Sequence, residues 1–418
     1  MQVEIESIAF GGSGVAREEG KVIFVKGGVP KDVLEVRIIK DKGSYAEAII
    51  ESVITPSPER AEPVCVVFGT CGGCQLQNLG YEAQTREKEH MLRDALGRTG
   101  GFTDLTVEPI FPSGSEYSYR TRVRLAAWYY AGKWHVGYNI GGTRRKVGIT
   151  SCPISDGPIN GAIGRLSAVL SAFDEPRFPL EFVQISSDGK DAHISLVARS
   201  GKQPGALSAL AKHLARFPET EKVSIRGKSE GEFEFELAGM KFLANPSVFT
   251  QSNPGVNEAI VRTALEWAGP VEGLSVLDLY SGIGNFSAPL ARAASKVVSV
   301  EINRFSSSLA RKNAGISGLT NISFITAPTD EAVNELLEKS ETFDVVVLDP
   351  PREGAKEILE GIASLATGKI IYVSCDPATL SRDLKRLNEL GWSPRRVKPF
   401  DMFPQTYHVE TVALLEKD

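Results

Sequence analysis

The chain has 418 residues, too many for one ordinary core, so two or three domains are expected. Hydrophobic residues at 42% and charged residues at 24% exclude a disordered chain, and 47 basic against 52 acidic side chains (net −5) speak against binding nucleic acid by bulk charge alone. No apolar run approaches the roughly 18 residues of a membrane span, and the opening Met1-Gln2-Val3-Glu4 has neither a basic head nor an apolar block, so a soluble cytoplasmic protein with no membrane partner is expected.

Residues 1–58 read as a small β-barrel: alternating segments from Val3, Val22 and Val33 are broken by Gly11-Gly12-Ser13-Gly14 and Gly27-Gly28. Pro56-Ser57-Pro58 marks a boundary, and a central region, 59–245, follows. It begins with a run of cysteines, Cys65-x5-Cys71-Gly72-Gly73-Cys74, with Cys152 further on. Five cysteines, an odd number, argue against a disulfide framework and for metal or catalytic use. The paired glycines let the backbone curl so that two thiolates face one centre. With Cys152 as a fourth ligand, zinc and an iron–sulfur cluster both fit the set. A polar helix is predicted around 81–96, and a mainly β stretch over 110–245 carries helices near 157–173 and 203–216.

From 246 the pattern changes. Apolar strands predicted at 275–280, 296–301, 321–326, 343–348 and 369–374 alternate with helical stretches such as 304–314 and 378–390, which implies an α/β unit with a parallel sheet. Two further β-like stretches, 395–400 and 408–415, have no helix between them and suit a closing antiparallel pair. After the first strand comes Asp278-Leu279-Tyr280-Ser281-Gly282-Ile283-Gly284-Asn285-Phe286, and Glu301 ends the second strand. Gly282 and Gly284 let the backbone approach a ligand at the carboxyl edge of the sheet, and Glu301 suits ribose hydroxyls. Ser287 stands where a dinucleotide loop needs a third glycine. A phosphate-free adenosyl ligand, S-adenosylmethionine, is therefore expected.

Asp349-Pro350-Pro351-Arg352 ends the fourth strand and Ser374-Cys375-Asp376-Pro377 the fifth, at that same edge. Cys375 also precedes a helix whose amino end favours a thiolate, and an antiparallel last strand delivers Glu410 towards it. A thiolate, a carboxylate and a methyl donor suit methylation of carbon 5 of uracil. Addition of the thiolate at carbon 6 makes carbon 5 nucleophilic, and a base then removes the carbon 5 proton so that elimination frees the cysteine. Cys375 and Glu410 fit these two roles.

These motifs resemble those of the RNA 5-methyluridine (uracil-5-) methyltransferases, in the branch with an iron–sulfur cluster and a TRAM domain. The resemblance rests on the four cysteines, the Asp278–Phe286 loop, Asp349-Pro-Pro-Arg, Ser374-Cys375-Asp-Pro and His408-Val-Glu410-Thr-Val, and it covers nearly the whole chain. It implies a class I, Rossmann-like methyltransferase domain at 246–418, an OB-like TRAM barrel at 1–58 and a central mainly-β iron–sulfur domain at 59–245. It further implies that Cys65, Cys71, Cys74 and Cys152 hold a 4Fe–4S cluster, that Cys375 is the nucleophile and Glu410 the base, and that Gln251, Tyr280, Asn285, Glu301 and Asp349 hold S-adenosylmethionine. Pro328 departs from the family pattern, which leaves an adenine contact to backbone or to Asp330.

For RNA, Arg120, Arg122 and Arg124 are expected on one strand face, with Tyr117, Tyr119, Val123 and Leu125 on the other. Arg144-Arg145-Lys146, and Arg395 and Arg396 with Lys398, are further candidates. The substrate expected is a uridine of 23S ribosomal RNA, modified by a monomeric enzyme. A tRNA uridine and a noncatalytic iron–sulfur RNA-binding protein are the alternatives.

Overall fold

The computed structural model describes residues 1–171, 176–200, 202, 204–215, 222–226 and 231–418. At the amino end six strands form one sheet, in the order Gln2–Glu4, Val33–Asp41, Tyr45–Thr55, Lys21–Lys26, Ser13–Glu18 and Ser7–Ile8. Alternate residues of these strands, among them Val3, Ile23, Val25, Leu34, Val36 and Ala48, enclose one small core.

A second six-stranded sheet is centred on Arg122–Tyr130, which pairs antiparallel with both Leu180–Ser187 and Lys133–Asn139. Helix Gly157–Ser171 lies over its apolar face. A 3-10 turn, Pro204–Leu207, leads into helix Ser208–Leu214. The predicted helix ends at 172–173, 203 and 216 lie outside the described residues.

The last sheet has seven strands, ordered Ile322–Ile325, Lys296–Val300, Ser275–Leu279, Phe343–Leu348, Ala366–Ser374, Glu410–Lys417 and Trp392–Phe400. The first five are parallel, and Glu410–Lys417 runs antiparallel to both of its neighbours. Successive residues alternate between two cores. Val276, Val345, Val347, Ile371 and Val412 enter one, while Leu277, Val346, Leu348, Ile370 and Ala413 enter the other. Helices covering both faces thus explain the near-continuous apolar strands. Chain order reverses between Ser275–Leu279 and its neighbour Phe343–Leu348, which opens a crevice beyond their carboxyl ends.

Two segments that the sequence assigns to the central region pack instead with this third sheet. Helix Tyr81–Ala95 and the turn after it contribute Leu92 and Leu96 to its core. The hairpin Phe233–Leu237 and Met240–Ala244 contributes Phe233, Leu237, Met240 and Phe242. The helix also buries polar residues, each with a partner. Gln84 donates to the carbonyls of Leu76 and Leu79 at 3.1 and 2.8 Å, and Glu87 accepts from the Ile8 amide at 2.9 Å. Lys88 donates to Asp401 at 2.5 Å, with neither side chain reaching solvent. Removing one member of such a pair alone costs on the order of 3–5 kcal/mol, because the other charge stays buried.

Candidate active site

At the crevice a cavity of about 380 Å³ is lined by Gln251, Asn257, Tyr280, Gly282, Asn285 and Asp349, with Phe233, Phe235 and Leu237 of the hairpin on another wall. The strand ends at Leu279, so Tyr280 begins the loop in the left-handed region at φ 62°. Gly282 and Gly284 follow at φ 59° and 94°, and no atom lies within 4 Å of where a side chain on Gly282 would begin, so the loop presents open backbone there.

Asp278 does not line the cavity. It is fully buried and accepts a hydrogen bond from the hydroxyl of Ser287. The serine that breaks the dinucleotide pattern is therefore the residue that fastens the loop to its strand. Burial pushes the Asp278 carboxyl up to about 7, opposed by Ser287 and supported by Asp349 and Glu301. Glu301 braces the loop from the next strand, its carboxylate accepting from the amides of Gly282 (2.9 Å) and Asn303 (2.6 Å). Each oxygen keeps a lone pair for a ribose hydroxyl.

Asn285 exchanges a pair of amide hydrogen bonds with Asn257 at 3.1 and 3.2 Å. Asn257 sits in the first turn of helix Pro254–Ala268, capped by Asn253, and the sequence reading missed it, since a polar residue near a helix start reads as surface. The preceding segment carries Gln251 and is tied to the central sheet by the Thr121 amide donating to the Ser252 carbonyl at 2.8 Å. Its Phe249 stands 62% exposed, with the Arg122 guanidinium over its ring at 5.6 Å. Asp330 is exposed in the first turn of helix Thr329–Glu338, which Pro328 caps, and neither lines the cavity.

Beside the cavity, strand pairing brings Cys375 and Glu410 together. Ser374 faces Thr411 as the last pair of the antiparallel ladder, and Cys375 and Glu410 are the next residues at that sheet edge, close enough for the Glu410 carboxyl to act on the thiol. Glu410 is buried, and desolvation pushes its carboxyl up to about 8, with Asp349 adding to this and Arg352 opposing it. Cys375 differs from its sequence expectation. Burial, then Glu410 and Asp349, raise the thiol to about 12, with Arg352 opposing. The amino end of helix Pro377–Glu389 does not offset this, because Asp376 caps it, accepting from the amides of Ala378 and Thr379 at 3.0 Å each. The thiol is thus protonated in the free protein. Asp349 is likewise pushed by burial to about 7. Arg352 contacts His408 at 3.3 Å, and burial with nearby Arg352, Lys88 and Arg120 holds that imidazole down at about 4, so it is neutral near pH 7.

The tRNA (Uracil-5-)-methyltransferase family pattern matches residues 80–418, and the TRAM domain pattern matches residues 1–50. The chain belongs to the uracil-5-methyltransferase family. It is 33% identical over 440 residues to the 23S rRNA (uracil(1939)-C(5))-methyltransferase RlmD of Pseudomonas fluorescens, covering 99% of this chain and 94% of that one. It is 34% identical over 432 residues to an uncharacterized RNA methyltransferase of Clostridium tetani, covering 97% and 93%. The crystal structure of the Pyrococcus abyssi tRNA (uracil-54, C5)-methyltransferase with S-adenosyl-L-homocysteine superposes with a TM-score of 0.72 at 25% identity, over 99% of this chain and 100% of that one. This protein is therefore an S-adenosylmethionine-dependent RNA uracil-C5 methyltransferase with a class I fold and an N-terminal TRAM domain.

Elsewhere in this methyltransferase, Cys65, Cys71, Cys74 and Cys152 line one cavity of about 140 Å³, together with Arg120 and Tyr138. All four are free and partly buried. Among the described residues, no three His, Cys, Asp or Glu side chains stand close enough to hold a single metal ion. Of the three arginines, only Arg124 is well exposed, stacked on Phe182 at 3.7 Å, while Arg120 lies before the strand and over the Phe403 ring at 5.6 Å. Arg396 is paired with Glu108 at 2.7 Å. No helix among the described residues is long and apolar enough to cross a membrane.

Proposed function

We propose that this enzyme methylates carbon 5 of a uridine in 23S ribosomal RNA, with Cys375 as nucleophile and Glu410 as base. The observation that carries the chemistry is that the ladder ends at the pair Ser374 and Thr411, so that Cys375 and Glu410 follow as neighbours at the sheet edge, on the strand beside the one that leads to Asp349. The RNA assignment is supported by relatives named for 23S rRNA that match nearly the full chain.

Gln251, Tyr280, Asn285, Glu301 and Asp349 hold S-adenosylmethionine, which supplies an electrophilic methyl group. The cavity suits it, with an open glycine backbone at Gly282 and the carboxyls of Asp349 and Glu236 in its lining for positive charge, while Glu301 holds the Gly282 amide from behind the loop. Because burial holds Asp349 and Glu410 near neutrality, both ionise readily once a cation enters. The Cys375 thiol loses its proton to solvent and its sulfur bonds to carbon 6 of the uracil. The displaced electron pair makes carbon 5 nucleophilic, and carbon 5 takes the methyl group from the sulfonium, whose methyl–sulfur bond breaks to leave S-adenosylhomocysteine. The Glu410 carboxylate then removes the carbon 5 proton, the ring double bond re-forms, and the carbon–sulfur bond breaks to restore the thiolate.

With labelled donor, the purified enzyme is expected to convert one uridine of a 23S rRNA transcript to 5-methyluridine, with kcat/KM about 10-fold or more above that for tRNA. Conversion of tRNA alone would support the second reading, which the Pyrococcus abyssi neighbour favours. Labelling of neither RNA would contradict both.

Cys65, Cys71, Cys74 and Cys152 hold a 4Fe–4S cluster in this proposal. Four thiols lining one cavity suit a body in which each cysteine binds its own iron. The cluster cross-links residues distant in sequence, a structural role, since methyl transfer itself is redox-neutral. Anaerobically purified protein is expected to be brown and to contain iron and sulfide, and Cys71→Ser is expected to abolish the visible absorption. A colourless, zinc-containing protein would overturn this assignment.

A further inference from the structure

The segment 401–409 joins the last two strands, and both its ends meet the reactive edge: Phe400 pairs with Glu410 across the ladder, and Asp401 follows directly. It has no regular structure of its own, so what holds it must come from elsewhere. Several of its partners come from segments far away in sequence. Buried Lys88 grips Asp401 at 2.5 Å and donates to the Phe403 carbonyl at 3.0 Å. Gln84, one turn earlier on that helix, both donates to the Gln405 side chain (3.0 Å) and accepts from its amide (2.9 Å). Gln405 sits in the left-handed region at φ 70°, a conformation that persists only where surroundings fix it. Its carbonyl accepts from the amides of Gln75 and Leu76, directly after Cys74, at 3.1 and 3.0 Å. Tyr119 donates to the Pro404 carbonyl at 2.9 Å, and Phe10 of the TRAM domain meets Tyr407 edge-on with centroids 5.0 Å apart.

A connection of this kind needs no buried lysine to stay folded; an apolar plug would fill the space at no desolvation cost. What polar partners add is a fixed direction and register for the loop, and the loop ends at Glu410. We infer that Lys88 and Gln84 are positioning residues for Glu410: they lock the 401–409 loop so that the carboxylate lies on the carbon 5 proton, and so control the elimination step while leaving methyl transfer little affected. This rests on Glu410 being the base. The TRAM domain and the cysteine segment bear on the reaction through the same loop.

The test is a single-turnover experiment on the full-length enzyme with substrate RNA and S-adenosylmethionine, following methyl transfer and the denaturation-resistant protein–RNA adduct together. Three proteins are compared with wild type: Glu410→Gln, the paired substitution Lys88→Met with Asp401→Leu, and Gln84→Met, which leaves no unpaired charge if the pair variant folds poorly. Methyl transfer is expected within about threefold of wild type in the two loop variants, with adduct breakdown slowed about 10-fold or more, the scale of a small misplacement of a reacting group. Methylated adduct then accumulates, as it does in Glu410→Gln. A merely structural role would lower the active fraction while the remainder resolved its adduct at the wild-type rate. If Glu410→Gln accumulates adduct and neither loop variant does, the positioning role is overturned. If Glu410→Gln itself accumulates none, the base assignment fails and this inference fails with it.

Discussion

Cys375→Ala is expected to lower turnover by on the order of 10⁴-fold or more, because carbon 5 of uracil has no other route to nucleophilic character in this site. The substitution removes only a partly buried, free thiol, so thermal stability should change little. Donor affinity should also be kept, since Cys375 does not line the loop cavity. Methyl transfer and covalent capture should fall together. Methylation by the alanine variant at a tenth of the wild-type rate would mean that the thiol is a neighbour of the reaction and not its nucleophile.

Glu410→Gln is expected to lose about 10²- to 10⁴-fold in turnover in a different manner: methyl transfer proceeds and the product stays bonded to the enzyme. The wild-type pH profile of adduct breakdown follows from the same carboxyl. Burial raises it to about 8, and a protonated carboxyl cannot accept the carbon 5 proton, so breakdown should quicken as pH rises through that range. The Arg352 guanidinium favours the ionised form. Arg352→Gln should therefore move the rise to higher pH, about a unit or less. A shift to lower pH, or a flat profile in the wild type, would show that another group removes the proton.

The parts of this site that could be read in the sequence are those encoded locally. Strand ends announce themselves through apolar runs stopping at polar or glycine residues, so Asp278 to Phe286, Glu301, Asp349 and Cys375 could all be placed on one sheet edge. Glu410 joined them because a helix-free return implied an antiparallel last strand, and the ladder runs that way. What was illegible depends on contacts between distant residues. The hairpin Phe233–Leu237 and Met240–Ala244 walls the cavity, yet the sequence places it only within a mainly β stretch of the central region. Lys88 and Asp401 are separated by 313 residues, and each alone reads as a solvated charge. The state of Cys375 is hidden for a related reason: the helix end favours a thiolate, but Asp376 caps that helix and the carboxyls of Glu410 and Asp349 raise the thiol.

Enzyme loaded with S-adenosylmethionine and incubated with 5-fluorouridine-containing RNA tests the covalent route most directly, since fluorine at carbon 5 cannot leave as a proton does and the bond to sulfur is trapped. Peptide mapping is expected to find the nucleotide on Cys375 alone, carrying the transferred methyl group. Folded, donor-bound protein that yields no conjugate, or one at a different residue, would contradict the account.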